Sequence, residues 1–219
     1  MMRIMKRRKL KVKEVEHMAH LKKWIQLCKN DSCTLHDVAM HRVPGHGNYS
    51  SNIMIVGEAP GREEDISGLP FVGRSGKMLN KILEEAGFVR EELFVTNIVK
   101  CRPPDNRKPT PWEVEQCKGY FESELFKLQP EYVVPLGNTA WQHMSQLMWE
   151  PPMIKISKAR GNIYDGISRE PYTSEQTFEI KIFPTFHPSY ALRNPAAKAL
   201  MVMDFKKLYE ITQDSDKNK

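Results

Sequence analysis

The stretch Ile53-Met54-Ile55-Val56-Gly57-Glu58-Ala59-Pro60-Gly61 decides how this chain folds. Four apolar residues in succession suit a strand buried on both faces and are far too short to span a bilayer. They run into a turn with two glycines and a proline, where the backbone can bend sharply and come close to a ligand. Three further runs, at residues 93–98, 132–137 and 180–185, are rich in Ile, Val, Phe and Tyr and bounded by polar or Gly/Pro residues. Helical patterns lie between them. Residues 75–86 place Met78, Leu79, Ile82, Leu83 and Ala86 on one face before Gly87. Thr110-Pro111-Trp112-Glu113 is a capping box with proline at the first helical position. Residues 15–28, 138–148 and 195–211 complete the helical set. This alternation predicts an α/β fold: a central four-stranded, mainly parallel sheet with helices on both faces and right-handed crossovers.

In such a sheet, ligands bind beyond the carboxyl ends of the strands. Here the first strand runs into Glu58-Ala59-Pro60-Gly61. The second carries Asn97 and continues into Lys100-Cys101-Arg102-Pro103-Pro104, and the last leads into His187-Pro188-Ser189. Three polar, turn-rich loops therefore converge on one edge. Residues 161–177 are polar and irregular, a surface hairpin or loop. The expected organisation is a basic arm at 1–14, one domain at 15–212 and a disordered tail at 213–219.

The net charge of +6, with a pI of about 9.1, favours a polyanionic partner, because neutralising phosphates releases counterions. Much of the excess sits at Arg3, Lys6, Arg7, Arg8, Lys9, Lys11 and Lys13. No apolar stretch with a small-residue cleavage site follows this basic segment, so a signal peptide is not expected and a cytoplasmic location is. In a reducing compartment, Cys28, Cys33, Cys101 and Cys117 are better suited to metal ligation than to two disulfides. Their C-x4-C and C-x15-C spacing is not that of a tight zinc ribbon.

The segments GEAPGREED, GLPFVGRSGKML, TNIVKCRPPDNRKP, EQC and PTFHPSYALR, in that order, resemble family 4 uracil-DNA glycosylases from about Cys28 to Arg193. The resemblance implies a three-layer uracil-DNA glycosylase fold with Gly57 and Glu58 in the loop that shapes the pocket floor. It implies that Phe71 stacks on uracil, that Asn97 reads its edge, and that His187 supports charge developing on O2. All four cysteines correspond to the family's [4Fe–4S] ligands, with Zn²⁺ as the alternative for four thiolates. One departure is visible: Cys28-x4-Cys33 is wider than the family's x2 spacing. Arg160-Gly161 echoes the family weakly.

The chemistry fits those positions. A glycosylase flips its base out of the duplex, and an aromatic face can then stack on it for about 1–3 kcal/mol. An amide donates to O4 and accepts from N3–H, separating uracil from cytosine. C–N cleavage leaves an anionic base, so a donor aimed at O2 stabilises charge that grows at the transition state. The attacking water has no obvious base. Better-known uracil glycosylases carry aspartate where Ala59 stands, which leaves Glu58 nearest, with Glu63, Glu64 and Asp65 behind it.

The segment from His187 to Arg193 resembles the loop that enters the minor groove. Ser189, Leu192 and Arg193 are its DNA-contacting candidates, with Leu192 as wedge. Arg102, Arg107 and Lys108 are candidates to grip phosphates. The expected activity is monofunctional removal of uracil from single- or double-stranded DNA by a monomer, leaving an abasic site. The alternative is a weakly catalytic or non-catalytic DNA-binding subunit of a replication complex. A relative that traps DNA through its histidine would carry a basic insertion that Pro184-Thr185-Phe186-His187 lacks.

Overall fold

The computed structural model describes residues 12–148, 154–169 and 176–217. In chain order its elements are α1 (Val12–Gln26), β1 (His46–Gly47), β2 (Ile53–Gly57), α2 (Arg62–Ser67), α3 (Arg74–Glu85), β3 (Phe94–Asn97) and α4 (Pro111–Leu128). They continue with β4 (Tyr132–Pro135), α5 (Gly137–Ser145), α6 (Ile156–Ala159), β5 (Tyr164–Arg169), β6 (Thr177–Ile182), α7 (Pro188–Ala191) and α8 (Pro195–Lys217). Single 3-10 turns at Arg90–Glu92 and Pro104–Asn106 link them.

One six-stranded sheet has the order β1-β3-β2-β4-β6-β5. The four expected strands form its parallel centre, and β1 and β5 add antiparallel edges. The sheet is thus wider than the four strands predicted. Strand β6 starts earlier than expected because Thr177 to Ile182 pair with β5, while Thr185 remains attached through a parallel bridge to Leu136.

Side chains alternate across the central strands, as the pleat requires. Met54, Val56 and Val133 point into a core with Met18, Ile25, Phe121, Leu125 and Trp141, from α1, α4 and α5. Ile53, Ile55 and Val134 point the other way, onto Leu79, Leu83, Met201 and Phe205 from α3 and α8. Helices therefore cover both faces.

Helix α4 begins as its sequence predicts. The Thr110 hydroxyl accepts the Glu113 N–H at 3.2 Å, and the Glu113 carboxylate accepts the Thr110 N–H at 2.7 Å. Helix α1 is described from Val12, and residues 1–11 of the expected basic arm lie outside the described residues. No glycine or proline interrupts the chain after Ile211, and α8 continues to Lys217 rather than ending at 211.

Candidate active site

Each functional loop leaves the carboxyl end of a parallel strand. Gly57 ends β2 in register with Asn97, which ends β3. Beyond β4, the Gly137 N–H donates to the Thr185 carbonyl at 2.9 Å, which sets the loop after β6 alongside. Asn97, Gly57, Gly137 and the His187 loop thus follow one another along the sheet edge. Three strand spacings, about 14 Å, separate the outer two lines of chain.

Gly57 is the floor on which this arrangement rests. A Cβ there would lie 2.3 Å from Asn97 Oδ1 and 2.6 Å from the Phe71 ring. Only glycine allows the amide and the aromatic ring to close over the strand end. Phe71 itself holds φ of +58°, a left-handed conformation that costs a side-chain-bearing residue on the order of 1–3 kcal/mol. Helix α3 fixes it there: a Cβ on Gly76 would come within 1.8 Å of the Phe71 carbonyl oxygen. Phe71 and Asn97 are both buried.

Glu64 ties the two pocket loops together. Its carboxylate accepts the Gly61 N–H at 3.1 Å and the Gly73 N–H at 2.8 Å. Asp65 accepts the His41 N–H at 3.1 Å. Of the carboxylates behind Glu58, these two are therefore buried braces rather than free water-orienting groups, and Glu63 is exposed on α2. The glutamate three residues after Gly61 supplies the returning half of a capping box, since glycine has no side chain to complete it. Glu58 is half-buried, and among the described residues none pairs with its carboxylate.

His187 caps the short helix α7. Its Nδ1 accepts the Ser189 N–H at 3.2 Å and lies 2.8 Å from the Ser189 hydroxyl. A nitrogen that accepts from a backbone N–H carries no proton, so the proton of the neutral ring is on Nε2. Burial pushes the His187 pKa down to about 4, which keeps the ring neutral near pH 7. The site thus holds an uncharged donor.

Behind this loop, Thr185 Oγ donates to Asp204 Oδ2 at 2.6 Å, and Arg160 grips both oxygens of Asp204 at 2.9 and 2.6 Å. The Arg160 guanidinium also stacks 5.4 Å from the Phe186 ring centre. Arg160 is a brace for the segment that carries His187.

Leu192 and Arg193 are exposed just past α7, beside Ser189 and the exposed Tyr190. Arg102 donates to Asn106 Oδ1 at 2.8 Å and stays near the surface. Arg107 differs from expectation. Its guanidinium makes two bonds to Glu113, at 2.8 and 2.6 Å, because that buried carboxylate also caps α4 and needs a cation. Arg107 is thus paired with Glu113 while its side chain stays exposed.

The four cysteines are free thiols lining one cavity. Three side-chain bonds fasten the wide Cys28–Cys33 loop and its flank to α4. Asn30 donates to Gln116 at 3.0 Å, Trp112 to the Ser32 carbonyl at 3.2 Å, and Thr34 to Glu113 at 2.7 Å. The extra residues of C-x4-C thus have partners of their own. Burial and the neighbouring thiols push Cys101 and Cys117 up, the latter to about 12. A metal would reverse this by binding the thiolates. Among the described residues, no group of three or more His, Cys, Asp or Glu could hold a metal ion.

Lys100 joins the cysteine cavity to the pocket. Its N–H donates to Cys117 Sγ at 3.1 Å, and its ammonium donates to the Asn97 carbonyl at 2.7 Å. The same ammonium pairs with Glu124 at 2.6 Å, both groups being almost fully buried. The sequence gives no sign of this pair, since the partners lie 24 residues apart on different elements.

Residues 44–211 match the family model described as the uracil DNA glycosylase superfamily. A type-4 uracil-DNA glycosylase of Archaeoglobus fulgidus is 36% identical over 197 residues, 90% of this chain and 94% of the relative. One from Saccharolobus solfataricus is 38% identical over 183 residues, 83% and 81% of the two chains. One from Thermotoga maritima is 40% identical over 166 residues, 76% and 79%. No helix among the described residues is long and apolar enough to cross a membrane.

Proposed function

The chain belongs to the uracil DNA glycosylase superfamily, and on that premise we propose that it removes uracil from DNA by hydrolysing the N-glycosidic bond. The observation that carries this reading is the neutral His187 held with Nε2–H free, at the same sheet edge as Asn97 and Phe71. The flipped uracil stacks on Phe71 above the Gly57 floor. Asn97 donates to O4 and accepts from N3–H. His187 Nε2–H donates to O2 as negative charge gathers there, an interaction that strengthens only towards the transition state. Glu58, unpaired and half-buried, orients the attacking water.

Ser189, Leu192, Arg193 and Arg102 face the DNA, with Leu192 filling the space left by the flipped nucleotide. The enzyme acts as a monofunctional monomer on single- or double-stranded DNA, leaving an abasic site for repair. Four free cysteines favour a reducing compartment, the cytoplasm. Cys28, Cys33, Cys101 and Cys117 hold a [4Fe–4S] cluster, which supplies iron–thiolate bonds that tie the end of α1, the loop after β3 and α4 together. The cavity that all four cysteines line supports a shared metal site for them.

The test uses paired oligonucleotides, identical except for uracil or thymine at one position. The purified protein is added and the strands are then treated with alkali. Cleavage at uracil alone is expected, and no uracil-dependent cleavage would favour the DNA-binding subunit instead.

A further inference from the structure

Among the described residues, two buried side-chain nitrogens have no hydrogen-bond partner, Arg42 Nε and Gln213 Nε2, and only Arg42 carries a charge. It follows the Cys33 segment, and the adjacent Val43 N–H donates to the Lys100 carbonyl at 2.7 Å, which fixes it beside Cys101. Arg42 lines the same cavity as the four cysteines. One terminal nitrogen, Nη2, donates to the His36 carbonyl at 3.0 Å, and His36 Nε2 in turn donates to the Cys28 carbonyl at 3.1 Å. The guanidinium Nε is buried and has no hydrogen-bond partner. Leaving a buried charged donor unmet costs more than leaving a neutral one. An unmet buried donor that lines a cavity points to a partner within that cavity.

We propose that Arg42 is a tuning residue for the cluster, its Nε–H donating to a cluster sulfur and its charge offsetting the thiolates. This rests on the cluster reading above. Four thiolates make the cluster unit a net anion, and one-electron reduction makes it more negative still. A fixed positive charge and an N–H···S bond stabilise the reduced form more than the oxidised one. Hydrogen bonds to the sulfurs and net charge are among the factors that set such potentials. Arg42 therefore raises the reduction potential. Its bond to His36 also steadies the loop between Cys33 and β1, so two substitutions are needed to separate tuning from folding.

The experiment is protein-film voltammetry on the wild type, Arg42→Met and Arg42→Lys, with the electrode as the source of the single electron. Iron content and visible absorbance per protein are measured on the same samples. Met keeps the length and loses every N–H, whereas Lys keeps the charge without the Nε donor. The expected result is a lower potential for Arg42→Met, by about a tenfold change in the one-electron equilibrium, or about 59 mV. Arg42→Lys should fall between the two. Where Arg42→Met does not load iron, a lowered potential in loaded Arg42→Lys supports the proposal. A wild-type potential in that variant overturns it. Loaded Arg42→Met at the wild-type potential overturns the proposal and leaves the cluster reading intact. A wild type without iron or visible absorbance overturns both.

Discussion

His187 Nδ1 accepts the backbone N–H of Ser189 at 3.2 Å, and this bond decides which ring nitrogen faces the substrate. The Ser189 hydroxyl, 2.8 Å from the same nitrogen, reinforces the arrangement. Ser189→Ala keeps the backbone bond and loses the hydroxyl, so kcat should fall modestly, about tenfold, with KM little changed. The pH profile is the second check. Burial lowers the His187 pKa to about 4, so the ring stays neutral at all higher pH. No limb near pH 6.5 should belong to His187. A limb there that disappears in His187→Gln would contradict the neutral-donor assignment.

Gly57→Ala tests the pocket floor. The new Cβ would meet Asn97 Oδ1 at 2.3 Å and the Phe71 ring at 2.6 Å, within the space where the base should lie. Overpacking of this kind costs about 1–3 kcal/mol of stability. Uracil excision should fall further, by about a hundredfold or more, because stacking and edge recognition are displaced together. Single-turnover rates beside thermal melts separate the two effects. A near-normal rate would place the base elsewhere.

Glu58 and Glu64 should behave differently although both lie in the same loop region. Glu64→Gln weakens the bonds to Gly61 and Gly73 that join the two pocket walls, so melting temperature and kcat should fall together. Glu58→Gln removes no hydrogen bond or ion pair among the described residues and should leave the melting temperature unchanged while lowering the rate about 10- to 100-fold. Full activity in Glu58→Gln would remove its water-orienting role and leave leaving-group stabilisation as the source of the rate.

His143 predicts how stability responds to acid. It is buried on α5, edge-on to Phe121 at 5.5 Å. Burial, then the charges of Lys118 and Lys100, lower its pKa from 6.5 to about 4. Between those values the unfolded chain binds more protons than the folded one. Stability is therefore complete above pH 6.5 and falls as the pH drops towards about 4. The loss from one such group is on the order of 3 kcal/mol at most. His187 contributes in the same window, so the check is a difference: urea midpoints at about pH 4.5 and about pH 7 for the wild type and His143→Gln. The acid-side loss should shrink in the variant, and an unchanged loss would refute the assignment.

The sequence reveals what repeats along the chain and hides what closes across it. Ile53 to Val56 is legible because a strand buried on both faces must be apolar throughout. Strand β1 has two residues, His46 and Gly47, and edge strand β5 exposes Asp165 and Arg169, so neither carries an apolar signature. Asn97, Phe71 and His187 can be placed at the site because strand ends and family-like motifs mark them. The groups that hold them cannot. Lys100 reaches Glu124, Arg160 reaches Asp204, and Gly76 backs Phe71 through contacts that exist only once the chain has folded. Arg102 and Arg107 look alike in CRPPDNR, yet only the structure shows Arg107 held by Glu113.

The most direct test is the single-turnover release of free uracil from a uracil-containing oligonucleotide by the wild type and by His187→Ala. Thermal melting of both proteins confirms that the fold is retained. The account predicts release by the wild type and a rate about 10²–10³-fold lower in the variant, the range for loss of one oriented donor at a developing anion. No release by the wild type, or release by a folded His187→Ala at the wild-type rate, would contradict it.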